Sequence, residues 1–308
     1  MNILKWRMSR RDFVKTALLL PVAWALSTLP AHTSDEVDLL AMGDWGGQNL
    51  VLQKNVAGQM AAYPAKAGIA LHGVLLAGDN FYTPLDNVTD ERWQSIFEKM
   101  YDAARLNVPF YASLGNHDYE ANKANIELDY AKANPSSRWK MPWKWYRVDF
   151  PKTNPLVTVL MLDSNSGKLG TNQWKAQMEW LQRELSNPRN GKWLLCSAHH
   201  PLFSNGSHGD NQSLQKDWGP LFKKYNVDFY LAGHDHDLQH LEIADYATSF
   251  VMCGGGGANT REVNNSHGGW ARQMTGFVHI GFDLKKASVR YISDTGLTVH
   301  QFEKRIRR

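Results

Sequence analysis

Cysteine is scarce in this sequence, with two residues among 308. Two cysteines are too few for a fold that depends on a framework of several disulfides. Cys196 and Cys253 each end a run of strand-like residues, and buried free cysteine behaves as a small hydrophobic residue. We therefore expect both to pack in the core, while a disulfide between them stays open because spacing alone does not place their Cα atoms.

An excess of positive charge is also missing once the N-terminus is set aside. The first 31 residues hold five of the 34 basic residues and one of the 30 acidic ones, so the remainder is neutral. A broad basic surface is therefore excluded, and no nucleic-acid binding is expected. The sequence has no internal repeat, and its one low-complexity element is Gly254–Gly257. This element is either a flexible turn or a close approach of the backbone to a site.

The first 34 residues have the composition of an export signal. A basic stretch precedes the mostly apolar residues 16–29, and small residues follow around Ala31. The run from Ser9 to Lys15 resembles the bacterial twin-arginine signal, which implies the twin-arginine translocation machinery as a partner and a periplasmic or secreted location. An N-terminal helix of the mature fold and an uncleaved anchor are the alternatives. Residues 35–308 are expected to form a single catalytic domain.

Short apolar runs alternate with helical patterns through the first three quarters of the chain. Apolar spacing predicts helices over residues 93–104, with Thr89 as cap, over 174–185 and over 214–222. Strands are predicted at Val37–Met42, Gly73–Ala77, Val108–Leu114, Leu156–Leu162, Trp193–Ser197 and Val227–Ala232. This alternation is typical of an α/β fold.

The helical period disappears after about residue 237. Three short strands are predicted there, at Phe277–Leu284, Ser288–Ile292 and Leu297–Phe302. We expect this tail to close a second sheet.

Five segments share one form, in which an apolar run is followed by a small residue and then by side chains that can bind a metal. They are Gly43–Gly46, Gly78–Tyr82, Gly115–Asp118, Ala198–Pro201 and Gly233–His236. Each segment taken alone is weak, since Gly-Asp after a strand is usually a turn. Loops at the carboxyl ends of strands converge in an α/β sheet, so ligands distant in sequence can meet there. Carboxylates and imidazoles coordinate cations, which makes a two-metal site the simplest common explanation.

The ordered set of segments resembles the calcineurin-like metallophosphoesterases, and Gly78-Asp79-Asn80-Phe81-Tyr82 looks like their purple acid phosphatase branch. Tyr82 carries the distinction, because this branch uses a tyrosine there as a phenolate ligand of ferric iron. The resemblance extends from about Asp38 to the C-terminus, as in the small tartrate-resistant type. It implies a four-layer α/β/β/α sandwich of two mixed β-sheets flanked by helices.

The resemblance also implies a ligand set. Asp44, Tyr82 and His236 would bind Fe(III), and Asp79 would bridge the two metals. Asn116, His199 and His234 would complete a second site for Fe(II), Zn(II) or Mn(II). The charges agree with this division, since carboxylates and a phenolate suit a hard trivalent ion.

His117 and His208 match histidines that contact the phosphate or the leaving group, and for His208 a solvent-exposed loop residue is the alternative. Two positions depart from the small mammalian-type enzymes, which commonly have histidine where this chain has Tyr119 and tyrosine where it has His200. The substrate preference is therefore open.

The implied reaction is hydrolysis of a small phosphate monoester by a metal-bound hydroxide, with an optimum at acid pH. We expect the protein to be a monomer. One alternative is a phosphodiesterase or nucleotide pyrophosphatase of the same superfamily, with zinc or manganese(II) in place of iron. Another is a binding protein that keeps the fold without turnover.

Overall fold

The computed structural model describes residues 35–306, which form two mixed β-sheets with helices on their outer faces. The predicted four-layer sandwich is confirmed. The twin-arginine-like segment lies outside the described residues, and the single domain over 35–308 stays a prediction. No helix in the described part of the chain has the length and apolar character to cross a membrane.

The first sheet has seven strands in the order β14-β13-β12-β1-β2-β3-β4. Strands β1 to β4 are parallel, and β12 to β14 form an antiparallel meander. Their bounds are β1 Val37–Met42, β2 Leu71–Ala77, β3 Phe110–Ser113, β4 Trp139–Lys140, β12 Gly276–Phe282, β13 Lys286–Ser293 and β14 Thr298–Arg305.

The second sheet also has seven strands, in the order β11-β9-β10-β8-β7-β6-β5. Its parallel part consists of β6, β7, β8 and β10. The bounds are β5 Tyr146–Phe150, β6 Val157–Met161, β7 Trp193–Ser197, β8 Phe229–Ala232, β9 Leu238–Glu242, β10 Ser249–Cys253 and β11 Trp270–Arg272.

The C-terminal strands belong to the first sheet, so the expectation that they close a second sheet was wrong. Strand β12 pairs antiparallel with β1, with Val37 opposite Phe282. Strand β12 pairs with one edge of β1 because β2 already occupies the other edge. This pairing joins residues more than 200 positions apart, and local sequence patterns do not specify it.

Five α-helices lie on the outer faces: α1 Leu50–Ala67, α2 Asn125–Ala133, α3 Ser166–Leu185, α4 Gln212–Asp217 and α5 Gly219–Tyr225. Helix α3 confirms the pattern over residues 174–185. The pattern over 214–222 falls on two short helices, because a new helix begins at Gly219 with Pro220 in its first turn. Helix α1 was not predicted. It begins at an Asn49 cap and ends at Gly68 in the left-handed conformation.

The long helix predicted over residues 93–104 is wrong. The segment contains a six-residue π-helical turn, Trp93–Glu98, followed by turns. Thr89 does not cap the start of this segment, because its hydroxyl donates to Asn87. The Asp90 carboxylate instead accepts from the Arg92 amide. Tyr101 is nevertheless fully buried, so the apolar spacing is satisfied by packing without a regular helix.

A dense aromatic cluster packs between the first sheet and helices α1 and α2, beneath the metal-ligand loops. The ring centroids of Trp45 and Tyr101 are 5.7 Å apart, and those of Phe81 and Trp93 are 4.8 Å apart. Trp139 is fully buried beside them. Edge-to-face contacts of this kind are favourable beyond the area that they bury. The cluster therefore gives the loops after β1 and β2 a rigid support. Cys196 and Cys253 are buried and unbonded to each other, as core packing predicts.

Candidate metal centre

All seven predicted metal ligands lie on loops that follow parallel strands. Asp44 follows β1, Asp79 and Tyr82 follow β2, and Asn116 follows β3. In the second sheet His199 follows β7, while His234 and His236 follow β8. The loops meet at one end of the sandwich, and their side chains form two neighbouring clusters.

The first cluster consists of Asp44, Tyr82 and His236. The Tyr82 hydroxyl lies 2.9 Å from His236 Nε2 and 3.4 Å from Asp44 Oδ1. His236 Nε2 lies 3.5 Å from the same Asp44 oxygen. A phenol, a carboxylate and an imidazole thus converge on a space of the size of one cation.

The second cluster consists of Asn116, His199 and His234. Asn116 Oδ1 lies 3.0 Å from His199 Nε2 and 3.1 Å from His234 Nδ1. The two imidazole nitrogens are 3.2 Å apart. This set carries no formal charge when both histidines are neutral.

Asp79 lies between the two clusters. Its Oδ1 is 3.4 Å from His199 Nε2, and ligand atoms of Asp44, Asp79 and His199 all fall within 4.8 Å of one another. The carboxylates of Asp44 and Asp79 are buried. Asp79 is therefore the side chain in position to be shared by two cations.

The tautomers of two histidines are fixed by backbone carbonyls. His199 Nδ1 lies 2.9 Å from the Ala77 carbonyl oxygen, and His236 Nδ1 lies 2.8 Å from that of Asn259. A carbonyl oxygen only accepts, so each Nδ1 carries the proton and each Nε2 presents a lone pair to its cluster. The His199 lone pair faces the Asn116 and Asp79 oxygens, and the His236 lone pair faces the Tyr82 hydroxyl, so both point into the ligand clusters as expected of metal-binding imidazoles.

Burial makes the charged forms of these residues unfavourable in the protein alone. It raises the pKa of Asp44 and Asp79 well above the usual range. Charge repulsion raises them further, from Asp79 in the case of Asp44 and from Asp118 in the case of Asp79. The pKa of Tyr82 is raised chiefly by burial and then by Asp44. Burial lowers the pKa of His234 to about 2 and that of His236 to about 4. Bound cations would compensate this cluster of acceptors, so the residues fit a two-metal centre.

The ligand loops are held in place by hydrogen bonds to the backbone. Asp44 Oδ2 accepts from the His234 amide at 2.8 Å, and Asp79 Oδ1 accepts from the His117 amide at 3.0 Å. Asp44, Asp79 and His234 all have positive φ angles, which are uncommon for residues with side chains. Strained backbone of this kind clusters at functional sites.

The glycine-rich element after β10 packs closely against the site. A Cβ on Gly254 would lie 2.0 Å from the Asp235 carbonyl oxygen and 2.8 Å from Asp44 Oδ2. The Gly256 amide donates to the Gly43 carbonyl at 3.0 Å. Of the two interpretations of Gly254–Gly257, close approach of the backbone is the one observed.

His117 and His208 lie beside the clusters. His117 Nδ1 is 2.7 Å from Glu120 Oε1, and its Nε2 points toward the centre, 4.0 Å from Asp79 Oδ2. The His208 ring lies 4.2 Å from the His234 ring, and its Nδ1 is 2.8 Å from Asp235 Oδ1.

Two residues at the site went unpredicted, Arg261 and Asp235. Arg261 contacts His208 from the loop after Gly254–Gly257, and Asp235 lies between two predicted ligands.

The two positions that depart from the small mammalian-type enzymes, Tyr119 and His200, also have structural roles. The His200 ring is 4.4 Å from that of His234, and the Tyr119 hydroxyl donates to the buried Asp163 carboxylate at 2.5 Å.

Comparisons with known proteins show which family the chain is similar to. The family model described as calcineurin-like phosphoesterase matches residues 38–238. The chain is 31% identical to tartrate-resistant acid phosphatase type 5 of Oryctolagus cuniculus over 312 residues, which cover 91% of this chain and 92% of the relative. It is also 31% identical to purple acid phosphatase 17 of Arabidopsis thaliana, over 74% of this chain and 70% of the relative.

Solved structures show the same fold. GAP50, the anchor in the inner membrane complex of Plasmodium, matches with a TM-score of 0.76 at 19% identity, covering 89% of this chain and 90% of that one. Purple acid phosphatase PPD1 from yellow lupin seeds matches with a TM-score of 0.66 at 19% identity, covering 88% of this chain and 54% of that one.

Proposed function

Because the chain belongs to the calcineurin-like phosphoesterase family, with purple and tartrate-resistant acid phosphatases among its relatives, we propose that it hydrolyses phosphate monoesters at a two-metal centre. The observation that carries this proposal is the convergence of Tyr82 with His236 and Asp44 next to the Asn116, His199 and His234 cluster. A purified preparation tests it by metal analysis and by assay of an aryl phosphate monoester against a diester.

In this proposal Asp44, Tyr82 and His236 would hold Fe(III), Asn116, His199 and His234 would hold a divalent ion, and Asp79 would serve both. The division follows charge, because phenolate and carboxylate oxygens favour a hard trivalent ion while a neutral set with two imidazoles suits Fe(II), Zn(II) or Mn(II). When bound, the metal pair acidifies water and offsets negative charge on the phosphoryl oxygens.

The chain's own residues orient the substrate and supply a proton. In the reaction a water oxygen bonds to phosphorus as the ester P–O bond breaks, giving inorganic phosphate and an alcohol. We assign His117 to the leaving oxygen in its imidazolium form, in which the Glu120 carboxylate accepts from Nδ1–H and Nε2–H is directed into the site, 4.0 Å from Asp79 Oδ2. The imidazolium gives its Nε2 proton to the departing oxygen, and a proton from the attacking water protonates His117 again.

The substitution Tyr82→Phe is expected to abolish a visible absorption band of the purified protein. The band would arise from phenolate bound to ferric iron, and phenylalanine has no oxygen to bind. Visible spectra and metal content measured side by side check this. Tyr111→Phe removes the hydroxyl of a tyrosine on β3 that packs against Phe150 and belongs to neither ligand cluster, and serves as the matched control. An unchanged band in Tyr82→Phe would contradict the assignment of iron to this cluster.

The same preparation distinguishes the alternative functions. A phosphodiesterase or nucleotide pyrophosphatase with a zinc or manganese(II) pair would be colourless and would prefer the diester. A binding protein without turnover would hydrolyse neither substrate. The intact set of seven ligands favours an enzyme.

We further propose that the protein is exported to the periplasm or beyond by the twin-arginine route. The support is the Ser9–Lys15 sequence and the apolar residues after it. Replacing Arg10 and Arg11 together by lysine is expected to shift the enzyme from the periplasmic to the cytoplasmic fraction of the producing cells. Equal periplasmic activity of both versions would contradict this route.

A further inference from the structure

Arg261 places a guanidinium at the edge of the candidate metal centre. Its Nη1 lies 2.8 Å from His208 Nε2 and 3.4 Å from the His234 carbonyl oxygen. Within residues 35–306, the hydrogen bonds found for this guanidinium all come from Nη1. Arginine has five N–H donors, so the group retains donors for an anion.

The backbone that carries Arg261 is hydrogen-bonded to two ligand loops, those of Asp44 and His236. The Ala258 amide donates to the Asp44 carbonyl at 2.8 Å, and the Arg261 amide donates to the His236 carbonyl at 3.2 Å. His236 Nδ1 in turn donates to the Asn259 carbonyl. Arg261 is therefore positioned by the same loops that position the metal ligands.

A chain of hydrogen bonds determines which nitrogen of His208 carries its proton. Asp235 is fully buried, and its Oδ1 accepts from the His208 amide at 3.1 Å and lies 2.8 Å from Nδ1. Its other oxygen accepts from the Ser204 hydroxyl. A carboxylate only accepts, so His208 Nδ1 is the donor to Asp235. Arg261 Nη1 lies 2.9 Å from Nδ1 and 2.8 Å from Nε2, and because Nδ1 carries the proton given to Asp235, Nε2 is the ring nitrogen that accepts from the guanidinium.

We propose that Arg261 binds the phosphoryl oxygens of the substrate at the edge of the candidate metal centre, and that His208 positions this guanidinium and does not protonate the leaving group. In the observed arrangement His208 Nε2 has no proton to give. A guanidinium stays charged at all working pH values and matches the geometry of phosphate oxygens. This assignment rests on the proposed function and revises the role first expected for His208.

The electrostatics of the site agree with such a role. Burial is the largest influence on the pKa of Asp44, Asp79 and Tyr82 and raises all three, whereas the charge of Arg261 acts in the opposite direction on each. Arg261 therefore acts on the centre as a fixed cation. A cation in this place attracts an anionic substrate group as it enters.

The test combines Arg261→Gln, His208→Asn and the double variant in the metal-loaded protein. Arg261→Gln is expected to raise the dissociation constant of inorganic phosphate and the KM for phenyl phosphate by about tenfold to a hundredfold, the usual effect of losing hydrogen bonds to a charged group. His208→Asn has a smaller effect in the same direction. If His208 acts through Arg261, the double variant matches Arg261→Gln alone.

Leaving-group dependence separates positioning from proton donation. Arg261→Gln and His208→Asn are expected to slow phenyl phosphate and p-nitrophenyl phosphate by equal factors, whereas His117→Asn slows phenyl phosphate more because its leaving oxygen needs the proton. Arg261→Lys should recover part of the phosphate affinity, and Arg272→Gln on β11 is the matched control with unchanged constants. Metal content measured for every variant is expected to equal that of the wild type.

Multiplying effects in the double variant, or a His208→Asn defect confined to the poorer leaving group, would overturn the proposal. Unchanged phosphate affinity in Arg261→Gln would overturn it too, while leaving monoester hydrolysis by the wild type intact. If the wild type hydrolyses no monoester, the proposed function fails. Calorimetric titration with inorganic phosphate still decides the role of Arg261 in that case.

Discussion

Replacing Asp79 by asparagine is expected to lower kcat/KM for an aryl phosphate by at least about a thousandfold, or roughly 4 kcal/mol of transition-state stabilisation. The carboxylate is buried between the two clusters, with Oδ1 3.4 Å from His199 Nε2 and a hydrogen bond from the His117 amide. Asparagine keeps the shape but removes the negative charge that a shared ligand supplies. Steady-state kinetics and metal analysis check the result, and bound metal is expected to fall from two ions per chain to about one.

The metal-free form of the same variant provides an independent readout. Burial and the neighbouring Asp118 raise the pKa of Asp79, which means that its negative charge is unfavourable in the folded protein without metal. Metal-free Asp79→Asn is therefore expected to unfold at a higher temperature than metal-free wild type and to gain less from added metal. Asp129→Asn, at an exposed position on α2, is the control with unchanged activity. Full activity with two bound metals in Asp79→Asn would rule out a bridging role.

The ligand loops could be predicted from sequence because their signal is local. Each loop consists of a buried strand, a small residue and a polar side chain, so a short window contains both the position and the chemistry. Strands β1 and β7 were predicted with their observed bounds. The relation between loops needed only the general rule that parallel strands end at one edge of a sheet.

Helix α1 was missed because its two faces contrast only weakly in polarity. The buried face carries Val56, Met60 and Tyr63 but also Gln53, while the apolar Leu50 and Val51 are exposed. Asn49 and Gly68 were the usable signals, since they cap the two ends of the helix. At residues 93–104 a helix was predicted where none of that length exists. The apolar residues there are spaced as in a helix, but a short π-helical turn and the turns after it bury the aromatic side chains.

Long-range arrangement accounts for the other differences. The pairing of β12 with β1 depends on which strand edge remains free after the first sheet has formed. Arg261 lies in a loop with no recognisable motif, and its place at the site depends on backbone bonds to Asp44 and His236. Such contacts are properties of the folded chain, and one sequence does not reveal them.

The substitution Gly115→Ala is expected to reduce activity by at least about a hundredfold while destabilising the fold by roughly 1–3 kcal/mol. A Cβ on Gly115 would lie 2.1 Å from Asp79 Oδ1 and 2.3 Å from the Asp79 amide nitrogen. Real Cβ contacts are never this close, so the Asp79 carboxylate must move. Displacing this carboxylate separates it from His199 and disturbs both clusters at once.

The control is a glycine-to-alanine substitution at a position where the added methyl group contacts no other atom. Gly58 lies on the exposed face of α1, and no atom lies within 4 Å of a Cβ added there. Gly58→Ala is expected to stabilise the protein by about 0.5–1 kcal/mol, because glycine is unfavourable inside a helix, and to leave activity unchanged. Thermal unfolding, metal content and kinetics of both variants decide the matter. If Gly115→Ala retains both metals and full activity, the close contact between Gly115 and Asp79 does not set the position of the ligand.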